Sequence, residues 1–348
     1  MFELGKYWAA KGHEVYVLSG RGEKQGPKGV TLIKLPFVTR RFFEFLYSGK
    51  ETPFSFLPFS FELEGLTMMP FLAPKLIKLR PDIVTCNTLA ESFVPIIFGF
   101  RLALIGQADI SYRYWAFKRA SLIHVYDDLS FRNLKKLRFN VVFIPNGVNV
   151  PDGNISAKST VTSKYNIDKD SLILLTIARL VPQKNVNLII DAVKLIPRKT
   201  TLLIIGEGPQ VGDLRKQAEE VNPPSKVIFV PPMSHEEVQA FYGICHVYSL
   251  PQIEFIGLSL TELEALNHGK PIVTADTPLN RRMVGAFGLV TNVKDPSEYA
   301  RALVKAASLR LEEEAVREYM RKFDWKDIAE EYLRAFEIVL NRRKSETM

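Results

Sequence analysis

The order of apolar and polar positions along the chain predicts an α/β protein. Short apolar segments of strand length alternate with segments in which apolar residues recur every three or four positions, as on one face of a helix. The clearest strand patterns are Ser171–Ala178, Thr201–Ile205, Lys226–Val230 and Pro271–Ala275. Strands that are apolar throughout and separated by helices are typical of parallel sheets covered on both faces.

Length and composition predict two such domains. The chain has 348 residues, of which 47% are hydrophobic, and this is enough for two cores. Pro145–Asn149 has the composition of a turn, and polar, weakly patterned sequence follows it to Lys169. We therefore predict a boundary near residue 150, between a domain of residues 1–150 and a domain of residues 151–348.

The net charge of +8 comes from the first half of the chain. Residues 1–150 hold 20 Lys and Arg against 12 Asp and Glu, whereas residues 151–348 hold 26 of each kind. Such a positive field favours an anionic partner: a phosphate-bearing acceptor, an anionic membrane surface or, least favoured, nucleic acid. A basic surface that only aids solubility explains the charge equally well.

The sequence predicts neither a membrane span nor a cysteine framework. No apolar run reaches the roughly 18 residues of a bilayer span, and no export signal opens the sequence. We expect a cytoplasmic protein, at most peripheral at the inner membrane face. Cys86 and Cys245 fall in different predicted domains without metal-type spacing, so we expect buried reduced thiols and no zinc site.

Residues 37–71 are unusually rich in phenylalanine, and Arg40 and Arg41 stand near the start of this stretch. Basic residues beside aromatic residues can dock on a lipid surface, where the cations meet phosphates and the rings enter the interface. Because no clear helical moment accompanies these residues, we favour core packing or the lining of an acceptor pocket over membrane contact.

The stretch Leu250–Val273 contains the candidate chemistry. It reads as a strand end, a turn at Gly257, an amphipathic helix that stops at Gly269, and a new strand. Free backbone N–H groups at such a helix N-terminus favour an anion such as phosphate. Three carboxylates stand nearby: Glu254, Glu262 and Glu264. Carboxylates repel phosphate but accept hydrogen bonds from sugar hydroxyls, so the combination indicates a nucleotide sugar.

The same stretch resembles the donor site of retaining glycosyltransferases of family 4, the glycosyl transferases group 1. Their pattern is Glu-x-Phe-Gly-Leu-x-x-x-Glu-Ala followed by Gly-Lys/Thr-Pro. The resemblance implies two Rossmann-like domains that face each other across a cleft, the GT-B type. It also implies that the first Glu contacts the donor sugar, the second binds ribose, and the turn amides hold sugar and phosphate. Those amides belong here to Gly257, Leu258 and Ser259.

Two registers fit the glutamates to this pattern. Counting back from Gly269-Lys270-Pro271 makes Glu264 the ribose residue and places Ile256 where the sugar Glu belongs. Glu254 and Glu262 instead keep the seven-residue gap. Residues two apart on a helix point to different faces, so Glu262 and Glu264 cannot both face one ligand. Glu262 also completes a Ser-x-x-Glu capping box, so we favour Glu264 for ribose and Glu254 for the sugar.

Other segments match the same family. Arg179 and Lys184 stand in a loop similar to Gly-Arg-Leu-x-x-x-Lys-Gly, where they would bind the donor diphosphate and offset charge on the leaving nucleotide. Gly206 opens a Gly-x-Gly-Pro turn, and the loop with Pro231 and Met233 corresponds to one that reads the nucleobase. The resemblance implies no metal and no cofactor, because the nucleoside diphosphate sugar is itself a substrate.

The first half departs from the family pattern. Relatives carry a strand and a glycine-rich loop before the equivalent of the helix Phe2–Lys11, so we expect an N-terminally incomplete first domain. Thr85 and Asn87 stand where imidazoles are usual, and neither side chain titrates near neutrality. Asp109 is a candidate acceptor-side base, although a helix N-cap explains it better. His124 begins a strand and is expected to be packed rather than catalytic.

The sequence thus predicts a retaining, hexosyltransferase-like enzyme that moves a sugar from a nucleoside diphosphate to an unidentified anionic or lipid-linked acceptor. Two alternatives stay open. The first is a degenerate relative that binds the nucleotide without turnover, and the second is a sugar-nucleotide epimerase of the same architecture. Nucleotide binding without turnover would indicate the first, and conversion of the donor in the absence of any acceptor would indicate the second.

Overall fold

The computed structural model describes residues 2–20, 25–38, 59–87, 89–106, 114–126, 128–148, 158–253 and 258–346. The chain forms two compact units, Met1–Asn146 together with Trp325–Met348, and Gly147–Asp324. The sequence predicts the boundary near residue 150 and a last helix that crosses back from the second domain. By its contacts, that helix is part of the first unit.

The first unit contains two parallel sheets. One consists of β1 (Val15–Ser19) and β2 (Val30–Lys34). The other consists, in spatial order, of β3 (Val84–Cys86), β4 (Leu102–Leu104), β5 (Leu122–Val125) and β6 (Val141–Phe143). Strands β4 and β5 are buried throughout because they lie in the middle of their sheet, whereas β1 and β3 are partly exposed.

The helices of the first unit, within the described residues, are α1 (Phe2–Ala10), α2 (Phe59–Leu79), α3 (Leu89–Ile97), α4 (Tyr114–Arg119), α5 (Asp128–Lys136) and the last helix of the chain, α14 (Trp325–Glu346). Helix α14 packs on α1 through aromatic side chains. The Trp8 ring stands edge-on to Tyr332 and Phe336, at centroid distances of 6.0 and 5.5 Å. Its indole N–H donates to the Ala329 carbonyl at 3.1 Å, so the contact is both apolar and directional.

His124 is fully buried on β5, and its ring forms hydrogen bonds with three other segments of the first unit. The Gly106 N–H donates to its Nδ1 at 3.0 Å, and its Nε2 lies 2.7 Å from the Ile144 carbonyl oxygen. These partners fix the neutral tautomer with the proton on Nε2. The Tyr332 hydroxyl of α14 lies 3.1 Å from the same Nε2. Burial lowers the pKa of His124 to about 4, and the packed position expected from the sequence is confirmed.

The second unit is built on one parallel sheet with the strand order β12-β11-β10-β7-β8-β9. The strands are β7 (Leu172–Ile177), β8 (Thr200–Ile205), β9 (Lys226–Val230), β10 (Val247–Leu250), β11 (Ile272–Ala275) and β12 (Gly288–Thr291). The helices within the described residues are α6 (Lys158–Lys164), α7 (Val186–Leu195), α8 (Val211–Glu219), α9 (His235–Ile244), α10 (Leu260–Asn267), α11 (Pro278–Val284), α12 (Pro296–Ala306) and α13 (Glu313–Met320).

Helices cover both faces of this sheet, which is why its four inner strands, β7, β8, β10 and β11, are buried at every position except the half-buried Ile177. Neighbouring strand residues enter different clusters: Leu175 and Leu203 pack on one side, and Leu174 and Leu202 on the other. This alternation follows from the period of two in a strand. The α/β class with parallel sheets, predicted from the sequence, is confirmed.

The strand order reverses between β7 and β10, and this reversal positions the site. From β7 the chain proceeds to β8 and β9 on one side, and then returns to β10 on the other side. Connections that diverge from two neighbouring parallel strands leave a crevice at the carboxyl ends, where ligands of open α/β sheets bind. The loops that follow β7 and β10 begin at Ala178 and Pro251, at the carboxyl ends of these two strands.

The two cysteines agree with the prediction made for them. Cys86 and Cys245 are buried free thiols in different units. Burial raises the pKa of Cys245 to about 12, so its thiol is protonated and unreactive near neutrality. As for membrane crossing, none of the helices described combines the length and the hydropathy that a bilayer span requires.

We predict that the buried neutral His124 makes the protein sensitive to acid. An unfolded histidine titrates near 6.5 and the folded His124 at about 4, so the unfolded state binds more protons between these values. The contribution of His124 is complete above pH 6.5 and is lost as the pH falls. The free energy of unfolding should therefore drop by roughly 3 kcal/mol over this interval.

Chemical denaturation of the wild type and of His124→Asn, at several pH values from about 4 to about 7, measures this effect. The variant should lose roughly 2 kcal/mol near neutrality, because buried partners of the ring are left unsatisfied. It should also show a shallower decline toward acid than the wild type. His13→Asn, at an exposed position, is the control. Parallel declines in the wild type and His124→Asn would contradict the prediction.

Candidate functional site

The loop from β7 to α7 presents two cations, Arg179 and Lys184. Arg179 is exposed, and Lys184 is half-buried at the end of a short 3₁₀ turn, Pro182–Lys184. Asn185 follows in the left-handed conformation, with φ of 52°, and its side-chain amide donates to the Val293 carbonyl at 2.9 Å. That bond and the fixed φ of Pro182 hold the loop in one conformation.

The turn after β8 packs directly on this loop, backbone against backbone. A Cβ atom on Gly206 would lie 1.9 Å from the Ala178 carbonyl oxygen, and one on Gly208 would lie 2.3 Å from that of Leu180. The Leu180 N–H also donates to the Glu207 carbonyl at 2.8 Å. Only glycine fits this approach, so both glycines have a structural role. The expected role of Gly206 in donor binding stays a prediction.

The loop after β10 reaches the cations through Gln252. The Lys184 ammonium donates to the Gln252 Oε1, and the Ile253 N–H donates to the Gln183 carbonyl at 3.0 Å. Gln252 is only 2% exposed, and its Nε2 has no hydrogen-bond partner among the described residues. Sequence reasoning missed Gln252. The available signal was a polar residue directly after an apolar strand, at the end of the sheet where ligands bind.

Glu262 caps its own helix, and its charge acts on Lys184. The Ser259 N–H donates to the Glu262 Oε2 at 2.7 Å, and the Glu262 N–H donates back to the Ser259 hydroxyl, so the expected capping box forms. Glu262 is 0% exposed, and its Oε1 has no partner in the described part of the chain. Burial raises the pKa of Glu262, whereas the hydrogen bonds from Ser259, the neighbouring Thr274 hydroxyl and the charge of Lys184 oppose that rise.

Glu264 faces a different set of neighbours from Glu262. Its Oε2 accepts a hydrogen bond from the Tyr242 hydroxyl at 2.8 Å, and its Oε1 lies 3.7 Å from His235 Nδ1. Its side chain keeps 18% of its surface exposed, and burial raises the pKa of its carboxyl. His235 opens α9, directly after the loop that is expected to read the nucleobase.

The structure thus brings Arg179, Lys184 and Glu262 into one electrostatic neighbourhood. Burial lowers the pKa of Lys184, Glu262 raises it, and Arg179 lowers it further. The charged neighbour of Glu264 is instead His235. The two glutamates point to different sides of α10, as helical geometry requires for residues two apart.

The remaining predicted residues have the following positions. Pro231 is exposed and Met233 is half-buried against the core of the second unit. The Leu258 side chain is buried in the same core, so only the backbone of Leu258 could contact a ligand. The Ser259 N–H already donates to the cap. The residues Asp109, Glu254 and Gly257 lie outside the described residues.

No group of three metal-ligating side chains (His, Cys, Asp or Glu) occurs in the part of the chain that the structure describes. The loop after β7 presents the cations of Arg179 and Lys184 at the carboxyl ends of the strands. Fixed cations can hold a diphosphate by charge-assisted hydrogen bonds, as a divalent metal does in other enzymes. The expectation of metal-independent binding stays a prediction.

Residues 158–323 match the family model described as Glycosyl transferases group 1. The matched segment spans nearly the whole second unit, Gly147–Asp324, and includes the cations, the Gly-x-Gly turn and the α10 glutamates. The second unit is therefore a domain of the glycosyl transferases group 1 type.

Two curated relatives are similar over part of their length. Phosphatidyl-myo-inositol mannosyltransferase of Mycobacterium leprae is 28% identical over 238 residues, which are 65% of this chain and 61% of the relative. GDP-mannose-dependent alpha-(1-6)-phosphatidylinositol monomannoside mannosyltransferase of Mycolicibacterium smegmatis is 27% identical over 126 residues, 34% of this chain and 33% of the relative. The chain thus aligns with less than two thirds of either relative.

Among solved structures, sucrose-phosphate synthase from Thermosynechococcus elongatus is similar over both units. The TM-score is 0.74 at 17% identity, and the match covers 98% of this chain and 92% of the other. At this identity the likeness shows the fold alone. It confirms the α/β architecture of the GT-B type that the sequence predicts.

We predict that Gly206→Ala destabilises the second unit strongly. The new Cβ would meet the Ala178 carbonyl, and the φ of +145° disfavours any side chain. The loss in the free energy of unfolding should be at least about 2 kcal/mol. Gly212→Ala is the matched control, since nothing lies within 4 Å of its added Cβ and its helical position favours alanine. Equal unfolding midpoints for the two variants in chemical denaturation would refute the prediction.

Proposed function

We propose that the chain is a retaining glycosyltransferase of family 4 that transfers a sugar from a nucleoside diphosphate to a carbohydrate or lipid-linked acceptor. The observation that carries this proposal is the cation pair Arg179 and Lys184 at the strand-order reversal of a glycosyl transferases group 1 domain. Anionic ligands of open α/β sheets bind at such a position.

The pair suits a diphosphate for electrostatic reasons. Lys184 is held half-buried beside Arg179, and the pKa of Lys184 is lowered first by burial and further by the repulsion from Arg179. An anion placed between them relieves that repulsion. Charge grows on the diphosphate as its bond to the sugar breaks, so the pair stabilises the leaving group more than the intact donor, without a metal.

Glu264 supports the nucleoside part of the proposal. Its partly exposed carboxylate lies next to the start of α9, and therefore next to the loop that contains Pro231 and Met233. A ribose hydroxyl can donate to a carboxylate there while the base contacts the loop. Glu254 stays the candidate for the donor sugar and Asp109 a candidate acceptor-side base; both lie outside the described residues.

A lipid-linked acceptor and a peripheral position at the inner membrane face are proposed on two grounds. Two relatives are named as mannosyltransferases, one of a phosphatidylinositol monomannoside and the other of phosphatidyl-myo-inositol. The first unit also exposes apolar side chains at the end of α3 and on α4, two helices that contact each other: Ile97 (67%), Phe98 (50%) and Trp115 (41%). The Arg119 guanidinium lies 5.0 Å from the centre of the Trp115 ring, which combines a cation with an interfacial aromatic residue.

The nucleotide site is tested by calorimetric titration of the full chain with GDP and with UDP. We predict that Arg179→Ala and Lys184→Ala each weaken binding of the nucleoside diphosphate about 10- to 100-fold, because each removes a charge-assisted contact. Binding of the nucleoside without phosphates should change little. Lys216→Ala, at an exposed position on α8, controls for net charge, and binding should persist in excess EDTA.

The outcomes discriminate between the proposal and its alternatives. Unchanged nucleotide affinity in both variants would overturn the site. Tight binding without sugar transfer to lipid or carbohydrate acceptors, and without donor hydrolysis, would favour a non-catalytic nucleotide-binding protein. Conversion of the donor sugar in the absence of acceptor would favour the epimerase.

Membrane docking is tested by flotation with vesicles that contain about one third phosphatidylglycerol. The combined substitution Ile97→Ser, Phe98→Ser and Trp115→Ser should reduce the bound fraction about 10-fold or more, because these side chains would no longer bury apolar surface. Leu195→Ser removes an exposed apolar residue of the second unit and should leave flotation unchanged. Wild-type protein that stays unbound at low salt would contradict the proposed localisation.

A further inference from the structure

Two helices of the second unit begin with the same capping motif in different surroundings. Helix α9 follows Ser234 and has Glu237 at its third position, and α10 follows Ser259 and has Glu262 at its third position. Glu237 is exposed, whereas Glu262 is completely buried. An exposed carboxylate accepts the same capping hydrogen bonds, so the cap alone does not account for the burial of Glu262.

The surroundings of Lys184 account for the burial of Glu262. The Lys184 ammonium donates to Gln252 Oε1, and Gln252 is itself buried. The Thr274 hydroxyl, which stands next to the Glu262 carboxylate, donates to the Leu250 carbonyl at 3.1 Å, and this connects the surroundings of Glu262 to the strand end that leads to Gln252. Among the described residues, Glu262 Oε1 and Gln252 Nε2 are both buried without a partner, so the surroundings of the lysine are polar.

We propose that Glu262 and Gln252 are positioning residues for Lys184, the carboxylate as a fixed counter-charge and the amide oxygen as a fixed hydrogen-bond acceptor. The inference deepens the proposed function and rests on it, since Lys184 is the residue assigned to the donor diphosphate. Glu262 and Gln252 would act through the lysine and not by touching the nucleotide.

A lysine at this place needs such support. Its four-carbon stem is flexible, and its compact ammonium is strongly hydrated in solution. Burial lowers the pKa of Lys184 and Arg179 lowers it further from the β7 loop, whereas Glu262 raises it from α10. Gln252, the group that faces the ammonium from the β10 loop, is neutral. Loss of the Glu262 charge would therefore leave a partly desolvated ammonium that Arg179 repels and that loses its proton more easily.

Acylation of Lys184 tests the inference in the free protein. Acetic anhydride reacts with the neutral amine only, and mass spectrometry gives the rate at Lys184 at about pH 8. Glu262→Gln keeps the cap, because glutamine also serves in a capping box, but removes the charge. Lys184 should then react about 3- to 10-fold faster than in the wild type. Glu237→Gln makes the same change in the exposed box and should leave the rate unchanged; equal rates in the two variants overturn the inference.

A second variant separates positioning from a merely structural effect. The combination of Glu262→Gln with Gln252→Glu moves the negative charge to the other side of Lys184 and should return its rate to within about 2-fold of the wild type. If the single variant reacted faster only because the fold had loosened, the double variant would react at least as fast. Exposed Lys216 serves as the internal reference.

Titration with GDP and with UDP keeps this inference distinct from the proposed function. In Glu262→Gln, the better-binding nucleotide should lose about 10-fold in affinity at about pH 8.5 and less at about pH 6.5. If Lys184 responds as expected but the wild type binds neither nucleotide, the proposed function fails and the positioning stands. If the wild type binds one of them, and Glu262→Gln alters neither the affinity nor the acylation rate, the positioning fails and the proposed function stands.

Discussion

The reversal of strand order between β7 and β10 is the constraint on which the candidate site depends. Because all six strands of the second unit are parallel, their carboxyl ends lie at one edge, and loops far apart in the sequence meet there. The closest approach is made by the turn after β8, where Gly206 and Gly208 allow the backbone to contact the loop that carries Arg179. The backbone of the loop that carries the cations is therefore held by the packing of main chain on main chain, and side-chain contacts such as that from Lys184 to Gln252 then position the charged groups.

Features encoded within a few residues could be predicted from the sequence. Both Ser-x-x-Glu motifs form capping boxes, since the two partners of a cap are separated by a single turn of helix. The buried strands were also predictable, because burial on both faces requires an unbroken apolar run. Features that depend on partners far away in the sequence could not be predicted. Gln252 matters through Lys184, which is 68 positions away, and nothing in the neighbouring residues indicates that contact.

The contrast between Glu237 and Glu262 shows the same limit. Their local sequences give them the same capping position, and only tertiary packing leaves one exposed and buries the other near a cation. The choice between Glu262 and Glu264 likewise depends on which neighbours lie on each side of α10. Helical geometry predicts that the two point apart. It does not predict that Lys184 acts on the charge of Glu262, while His235 and Tyr242 contact Glu264.

The same neighbours explain why the pocket should discriminate between states of a bound diphosphate. A cation pair that is partly desolvated and self-repelling gains from an anion in proportion to the charge that the anion brings. A diphosphate joined to a sugar has less negative charge than the diphosphate after that bond is broken. The carboxylate of Glu262 raises the pKa of Lys184 while the site is empty, and its complete burial keeps it from competing for the ligand's position. Under the proposed function, the pocket is thus complementary to the departing diphosphate rather than to the intact donor, which is the condition for catalysis by differential binding.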